Sequence, residues 1–177
     1  MKKTDGLVHI YTGTGKGKTT ASVGLGVRAL SHGLKVCYSF FNKKPDKYGY
    51  TEVDTLEKLG AKIIGQSLEH PAFNTSVTKE QMQITTKQSV DEIDEMIHAE
   101  HFDMLIMDEI IISVRDGFID EDYLINFIKN RPENLELVLT GRGATKNLIE
   151  IADYVSEVNK IKHPMDNGVA SREGVEY

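Results

Sequence analysis

There is no tryptophan in this chain of 177 residues, only one cysteine and only four prolines. A single thiol excludes an intrachain disulfide and any metal site built from several cysteines. Lying in the apolar run Val36-Cys37-Tyr38, Cys37 reads as a small core residue and not as a reactive one. No apolar run approaches the roughly 18 residues of a bilayer span. The opening Met1-Lys2-Lys3-Thr4-Asp5 leads into a strand and not into the apolar core of a signal segment, so a cytoplasmic location is expected. Positive charge is also in short supply. Lys and Arg number 21 against 27 Asp and Glu, a net charge of −6, which excludes a broad nucleic-acid surface but not a local basic pocket. Repeats and low-complexity tracts are absent. What remains is ordinary for a globular protein, with 40% apolar and 27% charged residues. The length suits one domain over residues 1–177 with a sizeable core of its own.

Along the chain, short apolar strands alternate with helices. Strands are expected at 7–11, 35–41, 61–64, 104–107, 135–139 and 154–158. Helices are expected at 19–32, 51–59, 78–100, 120–130 and 144–152. The first helix carries its apolar positions at Ala21, Val23, Leu25, Val27, Ala29 and Leu30, with Gly33 as its cap. The long helix turns Met82, Val90, Ile93 and Ile97 inward, and Asp120 caps the helix that follows it. Residues 42–50 read as a surface loop. Residues 65–77 form a longer irregular segment that suits a functional loop. Residues 161–177 show no periodicity. This alternation predicts an α/β fold with a mostly parallel sheet covered by helices on both faces, its ligands at the carboxyl ends of the strands.

One such end carries Thr12-Gly13-Thr14-Gly15-Lys16-Gly17-Lys18-Thr19-Thr20. A glycine-rich segment between a strand and a helix, closing on Gly-Lys-Thr, is a P-loop. Its glycines let successive N–H groups point at phosphate oxygens, and the helix N-terminus adds partial positive charge. Lys18 supplies a full charge to the terminal phosphates, and Thr19 a hydroxyl for magnesium. Lys18 is expected to face solvent when no ligand is bound. The usual pattern would begin with glycine at position 12, where this chain has Thr12, so the loop is a variant. A second strand, Met104-Leu105-Ile106-Met107, ends in Asp108-Glu109, the pair of acids that a magnesium site opposite a P-loop requires. Spacing alone leaves open which acid is nearer the metal.

The loop with its second lysine and doubled threonine occurs together with two further segments. One is Arg131-Pro132 followed by Leu137-Val138-Leu139-Thr140-Gly141-Arg142-Gly143. The other is the tail Lys162-His163-Pro164-Met165-Asp166-Asn167-Gly168-Val169-Ala170, ending Glu173-Gly174-Val175-Glu176-Tyr177. Together they resemble the ATP:corrinoid adenosyltransferases of the CobA/CobO/BtuR type, from about Val8 to Tyr177. The resemblance implies a P-loop NTPase-like (RecA-like) sheet. It implies that the Co(I) of a reduced corrinoid attacks C5′ of ATP, that the whole triphosphate leaves, and that ATP lies in the loop in the reverse of the usual sense. It also implies Mg2+ or Mn2+, an electron donor such as a flavoprotein, a homodimer, and a place in cobalamin biosynthesis or salvage.

Carried over by position, Gly13, Thr14, Gly15, Lys16, Gly17, Lys18, Thr19 and Thr20 bind the triphosphate. Thr19 and Glu109 hold the metal, with Asp108 in support, and Lys16, Lys18 and Glu109 carry the chemistry. Arg28 becomes a nucleotide contact, and Arg142 a contact to phosphate or corrin side chains. His163 is assigned to chain folding and not to cobalt. Two features depart from the family. Ile110-Ile111-Ile112 follows the acids where the family often has Asn, and no tryptophan stands in the central loop. Glu69-His70-Pro71-Ala72-Phe73 is the nearest equivalent, with Phe73 as the ring that packs on the corrin when the loop closes. The residues by themselves also admit an NTP hydrolase or kinase on a RecA-like sheet, or a nucleotide-dependent corrinoid-binding module without turnover. A zinc-bearing deoxynucleoside kinase is disfavoured, because its cysteine pairs are missing.

Overall fold

The alternation resolves into six parallel strands and the helices that connect them. A computed structural model describes residues 5–44, 47, 49, 51–66 and 68–176. The lead-in at residues 1–4, Pro45, Asp46, Tyr48 and Tyr50 of the expected surface loop, Ser67 and Tyr177 lie outside the described residues. In chain order the elements are β1 (Val8–Thr12), α1 (Lys18–Ser31), β2 (Val36–Phe40), α2 (Glu52–Lys58), β3 (Lys62–Gly65) and α3 (Lys79–Ala99). They continue as β4 (Met104–Asp108), α4 (Ile110–Arg115), α5 (Glu121–Asn130), β5 (Glu136–Thr140), α6 (Lys146–Glu150) and β6 (Tyr154–Glu157), with a 3-10 turn at Pro164–Asn167. The strand order is β3-β2-β4-β5-β1-β6, and every pairing is parallel.

Strands β2 and β4 are buried along their whole length, the continuous apolar pattern of a sheet covered on both sides. Successive side chains point to opposite faces. Cys37, Leu105, Met107, Leu137 and Leu139 therefore join α3, α5 and α6 on one face. Tyr38, Ile106 and Val138 join α1 and α2 on the other. Burial pushes the Cys37 thiol up to about 12, so it stays a neutral core group.

Local chemistry sets the element ends. Thr78 opens α3 with a capping box, its side chain accepting from Gln81 N while the Gln81 side chain accepts from Thr78 N. Asp120 caps α5 by accepting from Asp122 N and Tyr123 N. Helix α6 begins later than expected, because Ala144 N is engaged by Thr12 Oγ1 and Thr145 takes the capping role. The expected apolar stripe on α1 is also corrected. The residues it buries are Lys18, Ser22, Gly26 and Ala29, while Val27 is exposed and Val23 and Leu25 lie on the flanks. Small residues on the inner side let the helix approach β4 closely. A Cβ on Gly26 would come 3.1 Å from Ile106 Cδ1. That approach sets the middle of α1 directly against the sheet. Among the described residues, no helix is long and apolar enough to cross a membrane.

Ile106 is fully buried at the centre of this contact. Ile106→Ala is expected to destabilise the fold by about 2–5 kcal/mol in chemical denaturation. A loss below about 1 kcal/mol would show that α1 does not depend on close packing against β4.

Candidate functional site

The loop leaving β1 is shaped by the chain behind it. Gly13 has φ +100, and a Cβ there would lie 2.5 Å from Val158 O. Gly15 donates its N–H to the same Val158 O at 2.7 Å. At Gly17 the need is conformational only, with φ +124 and open space where a Cβ would stand. The missing first glycine has a local reason. Thr12 is still part of β1, and its buried hydroxyl accepts from Ala144 N at 3.2 Å, tying the loop to the segment after β5.

Lys18 does not face solvent. It is 5% exposed, and its Nζ donates to Gly15 O at 2.8 Å, folding the side chain back over the loop. The Gly15 carbonyl supplies the partner that burial demands. Burial pulls the Lys18 ammonium below its usual value, with Arg142 and Lys43 acting the same way against the pull of Glu109 and Asp108.

The acids at the end of β4 differ sharply. Asp108 is fully buried and saturated. It accepts from Thr140 Oγ1 at 2.6 Å, from Thr19 Oγ1 at 3.0 Å and from Lys43 Nζ at 2.5 Å. Burial alone would raise its carboxyl; Lys43, then the Thr140 and Thr19 hydroxyls, hold it below the usual range. Glu109 instead is raised, by burial first and by Asp108 next. Its Oε2 is buried and has no hydrogen-bond partner among the described residues. Its backbone is left-handed at φ 65, with its N–H on Thr140 Oγ1 at 2.9 Å.

Among the described residues, no cluster of three or more His, Cys, Asp or Glu side chains forms a metal cage. The oxygens present, the unpartnered Glu109 Oε2 beside Thr19 and Asp108, fit a hard cation that keeps water and shares phosphate oxygens with a substrate.

Two residues that the sequence did not single out complete the arrangement. Lys43, only 14% exposed at its side chain, bridges Asp108 and Thr19. Asn42, before it, is left-handed at φ 60 and donates from Nδ2 to Glu109 O at 3.2 Å and to Ser113 Oγ at 2.9 Å. An Asn at the end of an apolar strand is the available signal, since Asn tolerates positive φ better than most residues. The short helix α4, also unforeseen, starts directly after Glu109 and presents Ser113 to Asn42.

Two cavities meet here. One, of about 270 Å3, runs from Gly15 to Thr20 and is bounded by Lys43, Glu109 and Arg142. The other, of about 460 Å3, is walled by His70, Phe73, Ile112 and Arg115, and shares Lys43, Glu109 and Arg142 with the first. Lys16, Lys18, Thr19 and Thr20 thus lie together, while Gly13 and Thr14 sit outside this lining. Tail residues His163, Met165, Val175 and Glu176 close the first cavity. His163 Nδ1 accepts from Met165 N, capping the 3-10 turn. Arg28 is not brought to the site. It lies exposed in the last turn of α1, about 15 Å along the helix from Lys18, and lines neither cavity.

Phe73 is 67% exposed at the tip of the central loop and stands edge-on to His70. Other residues of that loop make defined contacts. His70 Nε2 meets Asp116 Oδ2 at 2.8 Å, Phe73 N donates to His70 O at 2.9 Å, and Val77 packs with Met82 and Phe118.

Thr140 serves both acids at once, so Thr140→Val orphans the Glu109 N–H and takes one of the two hydroxyl donors from Asp108 Oδ1, which keeps Thr19. The expected loss is about 1–3 kcal/mol of stability for the orphaned N–H, with Thr140→Ser close to wild type. A Thr140→Val protein as stable as wild type in denaturation would show that the acids are held by other means.

With this geometry in place, comparison with known proteins gives a consistent answer. A corrinoid adenosyltransferase from Sinorhizobium sp is 33% identical over 99% of this chain and 83% of its own length. One from Escherichia coli (strain K12) is 30% identical over 97% and 86%, and corrinoid adenosyltransferase CobA of Salmonella typhimurium is 30% identical over the same shares. In fold, the chain is similar to the flagellar accessory protein FlaH from Methanocaldococcus jannaschii, with a TM-score of 0.60 over 86% of this chain and 71% of that one, at 14% identity. The family model for ATP:corrinoid adenosyltransferase BtuR/CobO/CobP matches residues 4–177, and the chain belongs to that family.

Proposed function

We propose that this chain transfers the 5′-deoxyadenosyl group of ATP to the Co(I) of a reduced corrinoid and releases intact triphosphate. The observation that carries the reading is the wall of Lys43, Glu109 and Arg142 shared by the phosphate-loop cavity and the Phe73 cavity. A triphosphate in the first cavity and a corrin against the second would bring C5′ of a reversed ATP to their common boundary.

The chemistry asks little of the protein as acid or base. Cobalt supplies the electron pair for the new Co–C5′ bond, and the C5′–O pair leaves on the triphosphate. The protein's tasks are to hold the two substrates in line and to stabilise charge on the departing oxygen. Lys16, Lys18, Arg142 and the loop amides are suited to the second task. Mg2+, or Mn2+, would be held by Thr19 and Glu109 with Asp108 in support, and would add positive charge at the triphosphate. The Phe73 ring, exposed at the loop tip, would pack on the corrin and exclude water. The whole chain would act as one nucleotide-binding domain, as a homodimer in the cytoplasm, with Co(I) delivered by an electron donor such as a flavoprotein.

The test is an incubation of the protein with ATP, Mg2+ and chemically reduced corrinoid, followed by visible spectroscopy. Conversion to a light-sensitive alkylcobalt spectrum is expected; an unchanged spectrum at saturating ATP would overturn the proposal. Phe73→Ala is expected to raise the KM for corrinoid roughly 5- to 10-fold, the worth of one aromatic contact, and to leave ATP affinity unchanged. Equal losses for both substrates would make the Phe73 loop a general packing element.

A further inference from the structure

Neither the phosphate loop nor the acid pair accounts for Lys43. Its Nζ lies 2.5 Å from Asp108 Oδ2 and 3.3 Å from Thr19 Oγ1, on the two residues that meet at the end of β4. The backbone at its base is fixed. Asn42 receives a hydrogen bond at its carbonyl from His70 N, donates its own N–H to Gln66 Oε1, and is bound through Nδ2 to Glu109 O and Ser113 Oγ. The Lys43 stem is long and unbranched, so the ammonium can move while its base stays in place. Lys43 lines the phosphate-loop cavity, the Phe73 cavity and another of about 370 Å3 beside α1 and α2.

We propose that Lys43 is a resident counter-ion of the acid site that exchanges partners. It holds Asp108 while the site is empty, yields that place to the divalent cation that arrives with ATP, and then pairs with the triphosphate. The inference rests on the reading of this site as one for nucleotide and divalent metal. The physical argument is electrostatic. A buried carboxylate needs a cation, and Lys43 supplies one in the empty protein. An ammonium and a divalent cation cannot share one carboxylate edge without strong repulsion. A metal alone would therefore have to break the buried Lys43–Asp108 pair. A nucleotide brings enough negative charge to receive the ammonium. The exchange makes the acid pair a poor site for free metal and a good one for metal with nucleotide.

Metal binding tests this without turnover. Mn2+ alone is titrated into the full chain, and free Mn2+ is read by its paramagnetic resonance signal. Wild type is expected to bind Mn2+ weakly, K43M roughly 10-fold or more tightly, and K43R like wild type. Metal-free ATP is expected to bind K43M roughly 10-fold or more weakly than wild type. Equal Mn2+ affinity in wild type and K43M overturns the exchange, as does unchanged affinity for metal-free ATP. Should K43M not fold, K43R decides the matter, since tight binding of Mn2+ alone by K43R contradicts the exchange and weak binding supports it. If wild type binds neither ATP nor Mn2+ with ATP, the underlying site reading fails; if it binds both but K43M shows no gain for Mn2+, only the exchange fails.

Discussion

The carboxylate of Asp108, out of water at the end of β4, accepts from Thr19 at the start of α1, from Thr140 at the end of β5 and from Lys43 beyond β2. Each partner comes from a different element, so one buried charge fixes the relative positions of three. A carboxylate in this position is costly unless its partners are all in place. Thr19 at the end of the phosphate loop and Lys43 in the wall between the cavities are held by these contacts. Thr140 extends the network by also accepting from Glu109 N, which sets the backbone of the acid whose Oε2 is left without a partner.

Strain is concentrated at the same place. Among the described residues, the non-glycine positions with positive φ are Asn42 and Glu109, and the Asn42 side chain donates to the Glu109 carbonyl. Left-handed backbone is unfavourable for both types and persists only where surrounding contacts over-determine it. Here those contacts are Ser113, Gln66 and Thr140. Both residues line the Phe73 cavity, and Glu109 also lines the phosphate-loop cavity, at whose shared boundary the proposed transfer would take place.

Much of this was legible in the sequence. Strand–loop–helix around Gly13 to Thr20, and an apolar strand ending in Asp108-Glu109, need only period and residue type to be read. The sheet and its covered faces follow from the alternation. Lys43, Asn42 and Thr140 were not legible as a set, because what joins them is the parallel alignment of β2, β4 and β5, a relation between distant segments. The burial of Lys18 was missed for a similar reason. A lysine in a glycine-rich loop is exposed by residue type, and only the folded loop offers it the Gly15 carbonyl. On α1, apolar residue type pointed to Val23, Leu25 and Val27, but the close approach to β4 required the smaller Ser22, Gly26 and Ala29 on the inner side.

Family membership and the two adjoining cavities together support transfer of an alkyl group in place of a phosphoryl group, and the fate of the phosphates separates these chemistries. Phosphorus NMR of the products formed from ATP and reduced corrinoid is the most direct measurement. Breaking the C5′–O bond predicts tripolyphosphate in equal amount to the alkylated corrinoid, with no ADP. Appearance of ADP in place of tripolyphosphate would contradict the account.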